Sequence, residues 1–131
     1  DGELLRLLDA CISDEPGARP TATEVADRAA RLLVHRKHRA FFVLDGNRTL
    51  ELHTDNPWVR LKVGSLGSAA VEYDGLVFRV AKVDDEVWLN NRRLVPGAIL
   101  TGCNVIAFGS PALGGRRSFV TMDVSHPEVV L

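Results

Sequence analysis

The hydrophobic period of this 131-residue chain changes once, near residue 40, from steps of three and four to steps of two. Leu4, Leu7, Leu8, Cys11 and Ile12 recur at helical spacing and predict an amphipathic helix over the first dozen residues. Pro16 and Gly17 stop it, one by fixing φ and lacking an amide donor, the other by tolerating positive φ. A second helix is expected from Thr21 or Thr23. A Thr hydroxyl at either place can accept a bond from a free first-turn amide, and Glu24 suits the positive end of the helix dipole. Val25, Ala29, Leu32 and Leu33 then share a face, with Arg28, Arg31 and Arg36 toward the C-terminal end.

From Ala40 onward apolar and polar residues alternate. Phe41, Phe42, Val43 and Leu44 form an apolar strand that runs into an Asp45-Gly46-Asn47 turn. Further strands are expected over residues 49–54, 58–63, 69–73, 76–83, 86–89, 104–108 and 118–124. Turn signals separate them at Asn56-Pro57, 64–67, Asp74-Gly75, Asp84-Asp85, Asn90-Asn91, Pro96-Gly97 and Gly114-Gly115. Strands so short and so evenly spaced predict a mainly β fold, an antiparallel β-sandwich preceded by two α-helices. No stretch after Ala40 reads as a helix. The organisation is therefore helices over residues 1–34, a basic linker over 35–39 and a sandwich over 40–131.

Composition narrows the function classes. Sixteen basic against seventeen acidic residues leave a net charge of −1, with no footprint for nucleic acid or a membrane surface. Cys11 and Cys103 are too far apart to suggest a disulfide framework or a zinc spacing, so a cytoplasmic compartment is the default expectation. No apolar run reaches membrane-spanning length, and no signal-peptide pattern opens the chain. His35 and His38 lie three apart without further ligands at metal spacing, and are read as solvated linker residues. The Asp84-Asp85-Glu86 run reads as a solvated hairpin tip, and Trp58 and Trp88 as core residues. Gly64-Ser65-Leu66-Gly67 lacks the spacing of a nucleophile elbow, and Gly114-Gly115 opens a strand instead of a helix. No catalytic residue, cofactor or metal is expected.

Residues 4–33, with an apolar helix, an Asp14-Glu15-Pro16 turn and an Arg19-Pro20-Thr21-Ala22 corner before a second helix, resemble the last two helices of a protein kinase. The resemblance covers about a quarter of the chain and includes no catalytic group. It implies that this stretch ends a Ser/Thr kinase domain lying upstream, where the Glu that pairs with the matching Arg would lie; in this chain Arg19 is expected as an exposed turn residue. Helices of this length are marginal alone in water, so their apolar stripe is expected to pack on the sandwich or on a second copy of the chain.

Residues 87–109 resemble the C-terminal half of a forkhead-associated (FHA) domain. Asn90-Asn91 stands for its Asn-Gly turn, Leu94 for the apolar residue after it, and Leu100, Cys103, Asn104, Ile106 and Gly109 for its Leu-x-x-Gly-Asp-x-Ile-x-x-Gly segment. Cys103, Asn104 and Asn91 depart from the Gly, Asp and Gly of that pattern. The resemblance implies phosphothreonine binding on adjacent loops, through an Arg after a Gly and a Ser, by charge-assisted hydrogen bonds. The loops here carry no Gly-Arg pair and no Ser-x-x-His. Arg60, Lys62, Ser65 and Ser68, with Asn90 and Asn91, are the candidate phosphopeptide or partner-binding residues; a Gly-rich hairpin without a ligand is the plainer alternative.

The two resemblances together imply a non-catalytic accessory region of a kinase, acting on a protein or phosphopeptide, on the upstream kinase domain or on a second copy. The alternatives are a structural sandwich for oligomerisation, which needs an exposed apolar patch, and a sandwich for carbohydrates or small ligands, which needs exposed aromatics beside polar groups.

Overall fold

Thr21 starts the second helix because its side chain and that of Glu24 satisfy each other's free amides. Thr21 Oγ1 accepts from the Glu24 amide at 3.3 Å, and Glu24 Oε2 accepts from the Thr21 amide at 2.8 Å. Such a cap contributes about 1 kcal/mol, and its hydrogen bonds hold the Glu24 carboxyl below the usual carboxylate range. In the computed structural model, which describes residues 2–45 and 48–126, the two helices are α1 (Gly2–Cys11) and α2 (Ala22–Val34), joined through a 3₁₀ turn over Pro16–Ala18. Arg19 is exposed, and its Nε donates to the Ser13 carbonyl at 2.8 Å, closing the corner between the helices.

Ten strands follow: β1 (Ala40–Val43), β2 (Thr49–Leu52), β3 (Trp58–Lys62), β4 (Ser68–Tyr73), β5 (Phe78–Asp84), β6 (Val87–Leu89), β7 (Arg92–Arg93), β8 (Ile99–Leu100), β9 (Asn104–Phe108) and β10 (Ser118–Val124). They form two antiparallel sheets, one of six strands in the order β2-β1-β10-β9-β6-β7 and one of four in the order β3-β4-β5-β8. The expected sandwich is thus present, with the core between the sheets. Phe42, Leu52, Ile106 and Phe108 from one sheet meet Leu61 and Phe78 from the other, all fully buried. Their neighbours along each strand point outward, as the period of two requires. Gly46 and Asn47 of the first expected turn lie outside the described residues.

Three features of the sheets and their connections depart from expectation. Strands β7 and β8 carry no signal in the sequence, because two residues are too few to show a period. Pro111–Arg116 forms 3₁₀ turns, broken at Gly114, where a plain loop was expected. Trp58 faces outward at 52% exposure, since its strand register puts Val59 and Leu61 in the core instead.

The helices meet the sandwich at one end only. The Arg36 amide donates to the Gly75 carbonyl at 2.9 Å, Thr54 Oγ1 to the Arg36 carbonyl at 2.7 Å, and the Tyr73 hydroxyl to the Gly75 carbonyl at 2.9 Å and the Val34 carbonyl at 3.4 Å. Of residues 35–39, Arg36, His38 and Arg39 are therefore bonded to the sandwich. The expected covering of the helix stripe is incomplete: Leu7 is buried, but Leu4, Leu5, Leu8, Ile12 and Leu33 remain exposed.

His38, expected in solvent, is half-buried against Phe78, with ring centroids 5.0 Å apart. Its Nδ1 lies 2.6 Å from Ser125 Oγ, which also accepts the Arg39 amide at 2.9 Å. The Ser125 hydroxyl can serve Nδ1 as donor or as acceptor, according to the imidazole tautomer. Burial, reinforced by nearby His126, pushes the His38 pKa down. A histidine with a depressed folded pKa stabilises the fold fully above its unfolded value of about 6.5 and loses that contribution as pH falls toward the folded value. Urea midpoints are expected to drop between pH 7.5 and 5.5, and the drop to shrink in His38→Gln. An unchanged pH slope in that variant would remove His38 as its source.

Candidate functional site

The antiparallel registers sort the connections into two ends. The helices, the β2–β3, β4–β5 and β8–β9 connections and the β6–β7 turn lie at one end, and the β1–β2, β3–β4, β5–β6 and β9–β10 connections at the other. At this second end the loops touch. The Gly109 amide donates to the Glu86 carbonyl at 2.8 Å, and a β-carbon on Gly67 would come within 2.9 Å of the Asp84 carbonyl.

Four of the six candidate residues gather at this second end. On β3, Val59 and Leu61 turn inward and Arg60 and Lys62 outward, and the hairpin brings Ser68 level with Lys62. Ser68 is buried, its hydroxyl donating to Asp84 Oδ2 at 3.0 Å and accepting from Arg60 Nη2 at 3.2 Å. Arg60 Nη2 also lies 3.5 Å from Asp84 Oδ2, and Lys82 Nζ 2.9 Å from Asp84 Oδ1. Hydrogen bonds from Lys82 and Ser68 hold the Asp84 carboxyl below its ordinary range. Asp84 is therefore no solvated tip. Asp84 ends β5 directly opposite Ser68 of β4, so one carboxylate satisfies a hydroxyl and two cations from three strands. Ser65 is exposed in the β3–β4 turn.

Beside this cluster, the edge strands of the two sheets come together. Arg48 and Leu50 from the β1–β2 connection and β2, with Arg60, Lys62 and Gly64, line a groove of about 510 Å³. Nothing in the local sequence marks Arg48; only closure of the sandwich brings it to Lys62. Among the described residues, neither Arg48 nor Lys62 has a carboxylate partner, and the amides of Gly64 and Ser65 have no acceptor.

Asn90 and Asn91 do not join this site. They form the β6–β7 turn at the opposite end, with φ of 46° and 66°, the left-handed pair that a two-residue hairpin demands and that Asn tolerates. Asn90 Oδ1 accepts from the Val105 amide at 2.9 Å, and its Nδ2 donates to Asn104 Oδ1 at 2.6 Å. These bonds tie the turn to β9 and give Asn90 a structural task. Leu94, Leu100 and Ile106 are buried.

Among the described residues, no three His, Cys, Asp or Glu side chains are grouped as a metal would need, and no helix is long and apolar enough to cross a membrane. No protein family model, no curated protein and no solved structure matches the chain.

Proposed function

We propose that this chain is a non-catalytic accessory region of a Ser/Thr protein kinase, in which an FHA-like sandwich recruits a protein partner through a phosphorylated threonine. The observation that carries the reading is the row Trp58, Arg60 and Lys62 on the outer face of an edge strand, beside Arg48. An edge strand offers an extended peptide a line of backbone partners, the cations suit a phosphate, and an exposed Trp suits a flanking apolar side chain. The exposed leucines of the helix hairpin support the kinase part of the reading, since an apolar face of this kind fits against a larger lobe.

Titration with a phosphothreonine peptide library and its unphosphorylated copy, following the amides of Ser65 and Ser68, tests it. At least tenfold preference for the phosphorylated pool is expected. A second reading, a structural sandwich that self-associates, is favoured by Val43, Val105 and Phe119, exposed together on the outer face of the six-stranded sheet. Equal or absent peptide binding with a concentration-dependent mass in sedimentation would favour it over phosphopeptide recognition.

A further inference from the structure

We infer that the phosphate of the bound partner sits in the groove between the edges of β2 and β3, held by Arg48, Lys62 and the free amides of Gly64 and Ser65, and not on Ser68. This deepens the phosphopeptide reading and rests on it. The argument begins with what is already satisfied. Ser68 spends its proton on Asp84 and accepts from Arg60, while Lys82 holds the other Asp84 oxygen. That carboxylate already does for Ser68 and Lys82 what an incoming phosphate would do, so a dianion arriving there would meet an anion in place. A like charge at that distance opposes entry.

The groove next to it has the opposite character. Arg48 and Lys62 line it without a carboxylate of their own among the described residues, and Arg60 lies between the groove and Asp84, able to serve either. Three cations on one depression repel one another, and an anion between them relieves that repulsion while gaining charge-assisted bonds. Gly64 lines the groove with them, and its amide and that of Ser65 after it have no acceptor among the described residues. Nothing lies within 4 Å of a β-carbon built on Gly64, so the approach is open. The ligand also has a defined length. Trp58 lies four residues from Lys62 on the same face, a separation of about 13 Å along a strand. A phosphopeptide paired with β3 would therefore place an apolar side chain over Trp58 about four residues from its phosphate.

The experiment compares Arg48→Ala, Lys62→Ala, Lys62→Arg and Ser68→Ala in the full chain, by fluorescence anisotropy with the phosphothreonine peptide pool and its unphosphorylated copy. Arg48→Ala and Lys62→Ala are each expected to weaken phosphopeptide binding about tenfold, Lys62→Arg to retain it, and Ser68→Ala to change it less than twofold. Both alanine positions are exposed, and an unchanged melting curve identifies a binding effect. If Ser68→Ala abolishes binding while the groove variants bind normally, the groove site is wrong and phosphopeptide recognition stands. If no variant and not the parent protein distinguishes the phosphorylated pool, the functional reading falls with it. Displacement of the peptide by phosphatidylserine vesicles, with no response to inorganic phosphate, would assign the groove to a membrane surface and overturn the proposal.

Discussion

Phe78→Ala is expected to lower the unfolding free energy by about 3–5 kcal/mol, the usual cost of deleting a buried aromatic ring. Phe78 is fully buried at the start of β5, where it pairs with Leu100 of β8. Its ring stacks on Tyr73 with centroids 4.6 Å apart and an interplanar angle of 18°, and it meets His38 at 5.0 Å on another side. Tyr73 in turn holds the end of α2 through the Val34 carbonyl. One side chain thus joins the four-stranded sheet, the linker and, through its neighbour, the helices. Removing it leaves a cavity that the paired strands cannot close without moving the linker. Against a total stability of about 5–15 kcal/mol for a domain, the loss is a large fraction. Urea unfolding of the variant measures it, and hydrogen exchange at Arg36 and Arg39 is expected to quicken more than exchange in β9. A loss under about 1.5 kcal/mol would mean that the surrounding rings collapse into the space.

Gly67→Ala is expected to cost about 2–3 kcal/mol through backbone strain and a collision that cannot relax. Gly67 has φ of 142°, a conformation that side chains rarely adopt, and its added β-carbon would lie 2.9 Å from the Asp84 carbonyl oxygen. That carbonyl is backbone, and the Asp84 side chain is anchored to Ser68, Lys82 and Arg60. Gly109→Ala is the control. At φ of 101° it bears a backbone penalty of the same kind, but its nearest neighbour, at 3.0 Å, is the tip of the Leu113 side chain, which can swing away. A larger destabilisation for Gly67→Ala than for Gly109→Ala, with a shift of the Ser68 amide resonance in the first alone, is the expected result. Equal losses would show that φ dominates and that the contact with Asp84 is soft.

Asp84 also explains why the candidate site differs from a reading of its motif residues. Ser68 looks available in the sequence because serine next to glycines is common in anion-binding loops. Its real partner lies sixteen residues on, across β4 and β5, in a run that reads as solvent-facing. Arg48 is the converse case. It follows a turn and precedes a strand, with no local reason to bind anything, and becomes part of the site only because β2 closes against β3. Asn90 and Asn91 belong to a third kind: a turn is expected there from their chemistry, but its place at the other end of the sandwich depends on the direction of β6.

Contacts close in sequence account for most of what could be read from the residues alone. The start of α2 at one of two threonines, the bounds of β9 and β10, and the change from two helices to a sandwich all depend on spacing, capping and turn preferences within a few positions. Contacts between residues far apart in sequence settled the rest: the outward turn of Trp58, the burial of His38 under Ser125, the capture of Ser68 by Asp84 and the arrival of Arg48 beside Lys62. A side chain's periodicity names the face it occupies. Which charges meet on that face depends on strand order and register, and those are selected by burial of the whole core.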